Sequence, residues 1–149
     1  MVRQAGFRGH EVTDDVKAKL KADFAAGFCD DAQTKAVIKE IYDKYSYTLD
    51  THTAVAVKVY EDYKKATDDN TKTVIASTAS PYKFSTAVLE AIEGKVSDMD
   101  EFDKVERLHE VSGYDVPKSL AELKNKPIRF TGAIGRDEMK DFVLKSLSL

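Results

Sequence analysis

Thr73–Phe84 reads T-V-I-A-S-T-A-S-P-Y-K-F. Val74, Ile75 and Ala76 form a brief apolar run, β-branched at its front, which predicts a short buried strand. Ser77, Thr78, Ala79 and Ser80 are too small and polar to continue a core strand, so the chain turns there. Ser80 suits a helix N-cap, and Pro81 suits the first helical position, where no N–H is needed. Phe84, Val88 and Ile92 then recur at four-residue spacing, with Ala87 and Ala91 beside them, and Gly94 closes that helix. In α/β proteins small ligands bind where strand C-termini hand over to helices. The adjacent hydroxyls of Ser77 and Thr78 can therefore face a ligand. A turn-and-cap cluster with no ligand would use the same residue types.

Upstream of this stretch, Asp50 or Thr51 caps a helix that is apolar from Ala54 to Tyr60 except at Lys58. Such a helix is buried on several sides. Its start carries Thr51, His52 and Thr53, where free N–H groups favour an anion and His52 adds a donor. A capped helix start with a partly exposed histidine is the plainer reading. Before it, Asp30 or Asp31 caps a helix striped by Val37, Ile38, Ile41, Tyr42 and Tyr45. Thr13 opens another, with Val16, Leu20, Phe24 and Phe28 at four-residue spacing. The short connection predicts that these two pair antiparallel. Met1–Glu11 reads as loop around Gly6 and Gly9, as though cut from something longer.

Downstream, Lys95–Glu101 is an acidic loop. Phe102, Val105 and Leu108 give a helical face ended by Gly113, with His109 as a packing histidine beside it. Pro117 opens a short turn of helix through Leu120 and Leu123. Ile128–Thr131 can be a second short strand, and Gly132–Gly135 a turn. Met139, Phe142, Val143 and Leu147 predict a terminal amphipathic helix. The chain alone is thus mostly α, with six or seven helices and one or two short strands, and no internal boundary over residues 1–149.

The 149 residues suffice for one domain. A net charge of −3 argues against a nucleic-acid or anionic-membrane partner. No apolar run reaches the roughly 18 residues that span a bilayer. Met1–His10 lacks an apolar signal-peptide core. Cys29 is the single cysteine, so no internal disulfide forms, and a cytoplasmic location follows most simply. His10, His52 and His109 lie too far apart to suggest a metal site. Nucleotide-loop and nucleophile-elbow motifs are absent.

Two motifs agree with one known family. L-D-T-H-T-A-V-A at Leu49–Ala56 and S-T-A-S-P-Y-K-F at Ser77–Phe84 resemble the C-terminal part of threonine synthase. That family carries D/E-P-H-x-A-V-A followed by a strand ending in T-A-H/S-P-x-K-F. The resemblance covers about Ser46–Gly94 well. Thr51 stands where the family usually has proline, and Ser80 where many members have histidine.

The resemblance implies a pyridoxal-phosphate enzyme of the tryptophan-synthase β-like fold, fold type II, of which this chain is a C-terminal fragment. The family converts O-phospho-L-homoserine and water into L-threonine and phosphate. Its Schiff-base lysine and glycine-rich phosphate loop lie in its N-terminal half. Neither context occurs here, so the fragment alone is expected to be inactive, to hold no catalytic residue, and to need the N-terminal remainder as partner. By resemblance Thr78 faces the pyridine nitrogen of pyridoxal 5'-phosphate, with Ser77 as the neighbour able to substitute. His52 is implied as a contact near the substrate phosphate. Lys83 and Phe84 match the motif as support for the turn. Another phospho-lyase or dehydratase of the same fold fits the same residues, as does a helical interaction module without a ligand. A fragment should expose the surface that meets the rest of its enzyme, and self-associate or be only marginally stable.

Overall fold

The computed structural model describes residues 12–96 and 98–149. The loop expected over residues 1–11, and His10 with it, lies outside them. The described residues form seven α-helices: α1 (Asp14–Asp23), α2 (Asp31–Tyr45), α3 (Thr51–Thr67), α4 (Ser85–Glu93), α5 (Glu101–Ser112), α6 (Lys118–Ala121) and α7 (Met139–Ser146). Tighter 3-10 turns cover Pro81–Phe84, Glu122–Asn125 and Arg136–Glu138. The sequence shows no internal boundary over 1–149, whereas contacts gather into two compact units, one ending at Val116 and one comprising Pro117–Leu149. Pro117 has no N–H to extend a helix and holds Val116 away from helical backbone angles.

In the first unit α2 packs against α3 and α4, and α4 packs against α5. Ile38, Leu89, Leu108 and Val88 are fully buried at this centre. Three aspartates start the three longest helices. Asp30 accepts from the Gln33 amide at 2.8 Å while the Gln33 side chain accepts from the Asp30 amide, a reciprocal capping box. Asp50 caps α3, and Asp100 accepts from the Phe102 and Asp103 amides at 2.8 and 2.9 Å. Helix α5 stops at Gly113, whose φ of 70° is the left-handed conformation that glycine adopts without steric cost.

Polar links tie the helices together. Lys35 of α2 reaches Glu90 of α4. Arg107 of α5 grips Glu93 at the end of α4 with two guanidinium nitrogens, and also holds Glu110. The two carboxylates keep its pKa raised. The Tyr42 hydroxyl donates to the Val111 carbonyl at 3.0 Å, and the Tyr82 hydroxyl donates to the Tyr114 carbonyl. His109 is satisfied, its Nδ1 lying 2.6 Å from the same carbonyl.

Several expectations are corrected. The first helix stops at Asp23, so Phe24 and Phe28 lie beyond it, and α1 has no buried residue. The extended stretch that follows carries Gly27 close against Val59 of α3. Among the described residues α1 does not pack along α2 as a helix pair; α2 packs on α3 and α4 instead. Helix α3 buries only Thr53 and Ala54, and Val55–Tyr60 are half-buried. The mostly helical fold is as expected, but neither Val74–Ala76 nor Ile128–Thr131 is a strand among the described residues. A strand needs a neighbour for its ladder, and Val74 is 90% exposed.

In the second unit α6 runs into its 3-10 turn and α7 follows another. Residues 121–149 are all exposed. Phe130, Phe142 and Leu147 are among the apolar side chains left open to water. Among the described residues no helix is long and apolar enough to cross a membrane.

Candidate functional site

The turn of Ser77–Ser80 is held by the start of α3. Asp50, 1% exposed, sits at the centre. Its Oδ1 accepts from the His52 amide at 2.9 Å and the Thr53 amide at 3.2 Å. Its Oδ2 accepts from the Thr53 hydroxyl and, at 3.5 Å, from the Ser77 hydroxyl. The Thr53 hydroxyl also lies 3.1 Å from the Ser77 hydroxyl. One carboxylate thus caps a helix with one oxygen and anchors a distant turn with the other. Burial pushes the Asp50 carboxyl pKa up, but the hydrogen bonds from Thr53 and His52 outweigh it and hold the group below its ordinary value.

The three residues singled out in the sequence come within one short region, in different states. Ser77 is engaged by Asp50 and Thr53. Thr78 is exposed, and its hydroxyl makes no hydrogen bond among the described residues. The Ser80 hydroxyl accepts from the Tyr82 amide at 3.3 Å, so it caps the turn that Pro81 opens. His52 is 61% exposed at its side chain. Its ring lies against Phe84 and within 3.4 Å of the Thr51 hydroxyl. The amides expected to favour an anion at this helix start are partly taken. Those of His52 and Thr53 already donate to Asp50.

A cavity of about 420 Å³ opens beside His52, lined by Cys29, Thr34, Lys35, Thr51, Val55 and Ala87 among others. Cys29 is half-buried with its Sγ 3.2 Å from the Thr34 hydroxyl, as a packing cysteine would be. Lys35 faces this cavity while paired with Glu90. Among the described residues no group of histidine, cysteine and acidic side chains is arranged to hold a metal ion.

Among these residues the exposed Thr78 hydroxyl, with no hydrogen bond among the described residues, is the donor left open, a group of the kind that could meet one edge of a pyridoxal ring. No lysine pairs with the Asp50–Thr53–Ser77 network among the described residues. Sequence reasoning took Asp50 only as a cap and did not single out Thr53. A buried aspartate followed three residues later by a threonine is the available local signal. Its partner Ser77, 27 residues away, is not visible in the local pattern.

Comparison with known proteins gives a consistent picture. The model of the threonine synthase C-terminal family matches residues 53–143. Threonine synthase-like 1 of Homo sapiens is 37% identical over 83 residues, 56% of this chain and 10% of that protein. Threonine synthase of Corynebacterium glutamicum is 27% identical over 124 residues, 83% of this chain and 24% of the relative. Threonine synthase of Methylobacillus glycogenes is 35% identical over 72 residues, 48% and 14% respectively. The matches span between a tenth and a quarter of the length of these curated relatives.

Proposed function

This chain belongs to the threonine synthase family through the family's C-terminal domain, and from that premise we propose that it is the C-terminal part of a pyridoxal-phosphate enzyme converting O-phospho-L-homoserine and water into L-threonine and phosphate. In this reading it acts in the cytoplasm, together with an N-terminal remainder that carries the reactive lysine and the phosphate loop. Alone it is inactive. Its contribution is one wall of the cofactor site.

The observation that carries the reading is the contrast between two adjacent, exposed hydroxyls. That of Ser77 lies 3.1 Å from the Thr53 hydroxyl and 3.5 Å from the Asp50 carboxylate, while that of Thr78 makes no hydrogen bond among the described residues. Thr78 donates to the pyridine nitrogen, and Ser77 holds the turn at the cofactor's edge. When bound, pyridoxal phosphate supplies an electron sink for charge developing on the substrate. A neutral hydroxyl leaves the ring nitrogen unprotonated, where a carboxylate would hold it protonated. His52 faces the substrate phosphate with its ring, since its amide serves the cap.

Thr78→Val in the full protein tests this. Turnover should fall by about 10- to 100-fold, the cost of one hydrogen bond to a group changing charge, with the cofactor still bound by absorbance. Unchanged turnover removes Thr78 from the role. For His52→Ala the expected result is weaker O-phosphohomoserine binding, and unaltered affinity removes His52. A second reading is a phospho-lyase or dehydratase of the same fold with another substrate, since the family match fixes no substrate. Product analysis separates the two, because only the first reading yields threonine.

A further inference from the structure

We infer that Asp50 is a positioning residue that joins the start of α3 to the hydroxyl turn, so that His52 and Thr78 are presented as one unit. The inference rests on the roles proposed above for those two residues. Its geometry does not. The carboxylate is almost fully buried, and its two oxygens serve different segments. Oδ1 takes the amides of His52 and Thr53, which any good cap would do. Oδ2 takes the Thr53 hydroxyl closely and the Ser77 hydroxyl at 3.5 Å, and the second of these belongs to a turn 27 residues away. A helix cap needs only the first oxygen. The second ties Ser77, and Thr78 follows it directly in the chain.

The far end of this turn is held at Ser80, whose hydroxyl accepts from the Tyr82 amide at 3.3 Å and whose carbonyl accepts from the Lys83 amide at 3.0 Å. At its start, no backbone hydrogen bond from the amides of Ser77, Thr78 or Ala79 is present among the described residues. Residues 76–78 are exposed. The placement of that start therefore depends on side-chain anchorage, and the Ser77 hydroxyl supplies it. Thr53 reinforces the anchor, because its hydroxyl lies within reach of both the carboxylate and Ser77.

Asp50→Ser separates the two duties. Serine caps helices about as well as aspartate, so its hydroxyl replaces Oδ1. It brings no second oxygen to replace Oδ2, so the Ser77 hydroxyl loses its partner there. The measurement is backbone 15N relaxation at Ser77–Ala79. In the native chain the order parameters should be near 0.85, and in Asp50→Ser they should fall below about 0.6 while those of α3 stay high. Ser77→Ala should reproduce the fall on an exposed turn where folding is not at stake, and Ser77→Thr, which keeps the hydroxyl, should restore the native values. Unchanged order parameters in both Asp50→Ser and Ser77→Ala overturn the inference. Turnover of the full protein distinguishes the underlying reading. A loosened turn with turnover intact upholds the tie and removes the cofactor role of Thr78.

Discussion

The imidazole of His52 lies 4.9 Å from the ring of Phe84, centroid to centroid, at an interplanar angle of 47°. This contact joins the two motifs that carry the family resemblance, one opening α3 and the other opening α4. A tilted pair of this kind stabilises beyond the area it buries. Phe84→Ala should destabilise the first unit by about 2 kcal/mol, below the cost for a fully buried ring because Phe84 is half-buried. The His52 ring protons should lose their ring-current shift at the same time. A variant that keeps that shift would show that the two rings do not meet in solution.

The centre of the first unit should respond more strongly. Leu89 is fully buried on α4, the helix that touches both α2 and α5. Leu89→Ala should cost about 3 kcal/mol, from lost transfer energy and the cavity left behind. Urea unfolding reads it as a lower midpoint with the slope unchanged. A cost under about 1 kcal/mol would mean that the three-helix centre is loosely packed.

Gly27 gives a prediction with a sign reversal. A Cβ there would meet the Val59 side chain at 3.0 Å, and valine on a helix has little rotamer freedom to move aside. Gly27→Ala should therefore destabilise by about 1 kcal/mol. In a Val59→Ala background the same change should become stabilising by about 0.5 kcal/mol, because the unfolded chain loses freedom and nothing clashes. Additive effects of the two changes would disprove the contact.

Asp50 also sets a pH dependence. Its folded carboxyl titrates below the unfolded value of about 3.9. The stability it contributes is complete above that value and is lost as pH falls through the folded pKa. The unfolding midpoint of the native chain should drop in that window, and Asp50→Asn should lessen the drop. At pH 7 Asp50→Ala should cost about 2 kcal/mol, combining a lost cap with two hydroxyls deprived of their acceptor. An equal acid-induced drop in native chain and Asp50→Asn would mean that other carboxylates account for it.

The starts of α2 and α3 were legible to within a residue because their determinants are local. Asp30 and Asp50 stand just before helical periodicity begins, and Ser80 with Pro81 marks the turn into α4, whereas the cap at Asp100 lay hidden in a stretch read as an acidic loop. Gly94 and Gly113 mark helix ends for the same reason. The first helix was overextended because Phe24 and Phe28 keep the helical spacing, while a tertiary contact of Gly27 with Val59 decides the backbone there. The expected strands need hydrogen-bonding neighbours, which no period-two pattern within a segment can supply. At the site, Ser77, Thr78 and His52 stood out through the turn and the capped helix start, and the motif resemblance implied their roles. That Ser77 is anchored and Thr78 free depends on a carboxylate 27 residues away, and no local pattern encodes it.

The two oxygens of Asp50 have a consequence for how tolerant this position is to change. A saturation library scored for cellular abundance should accept serine at position 50 more readily than alanine, because folding mainly needs the cap. Under the proposed function, the same library scored by growth without supplied threonine should reject serine. Position 50 would then separate the two scores, while core positions such as Leu89 lose both together. Such a gap marks a side chain selected for something other than keeping the chain folded.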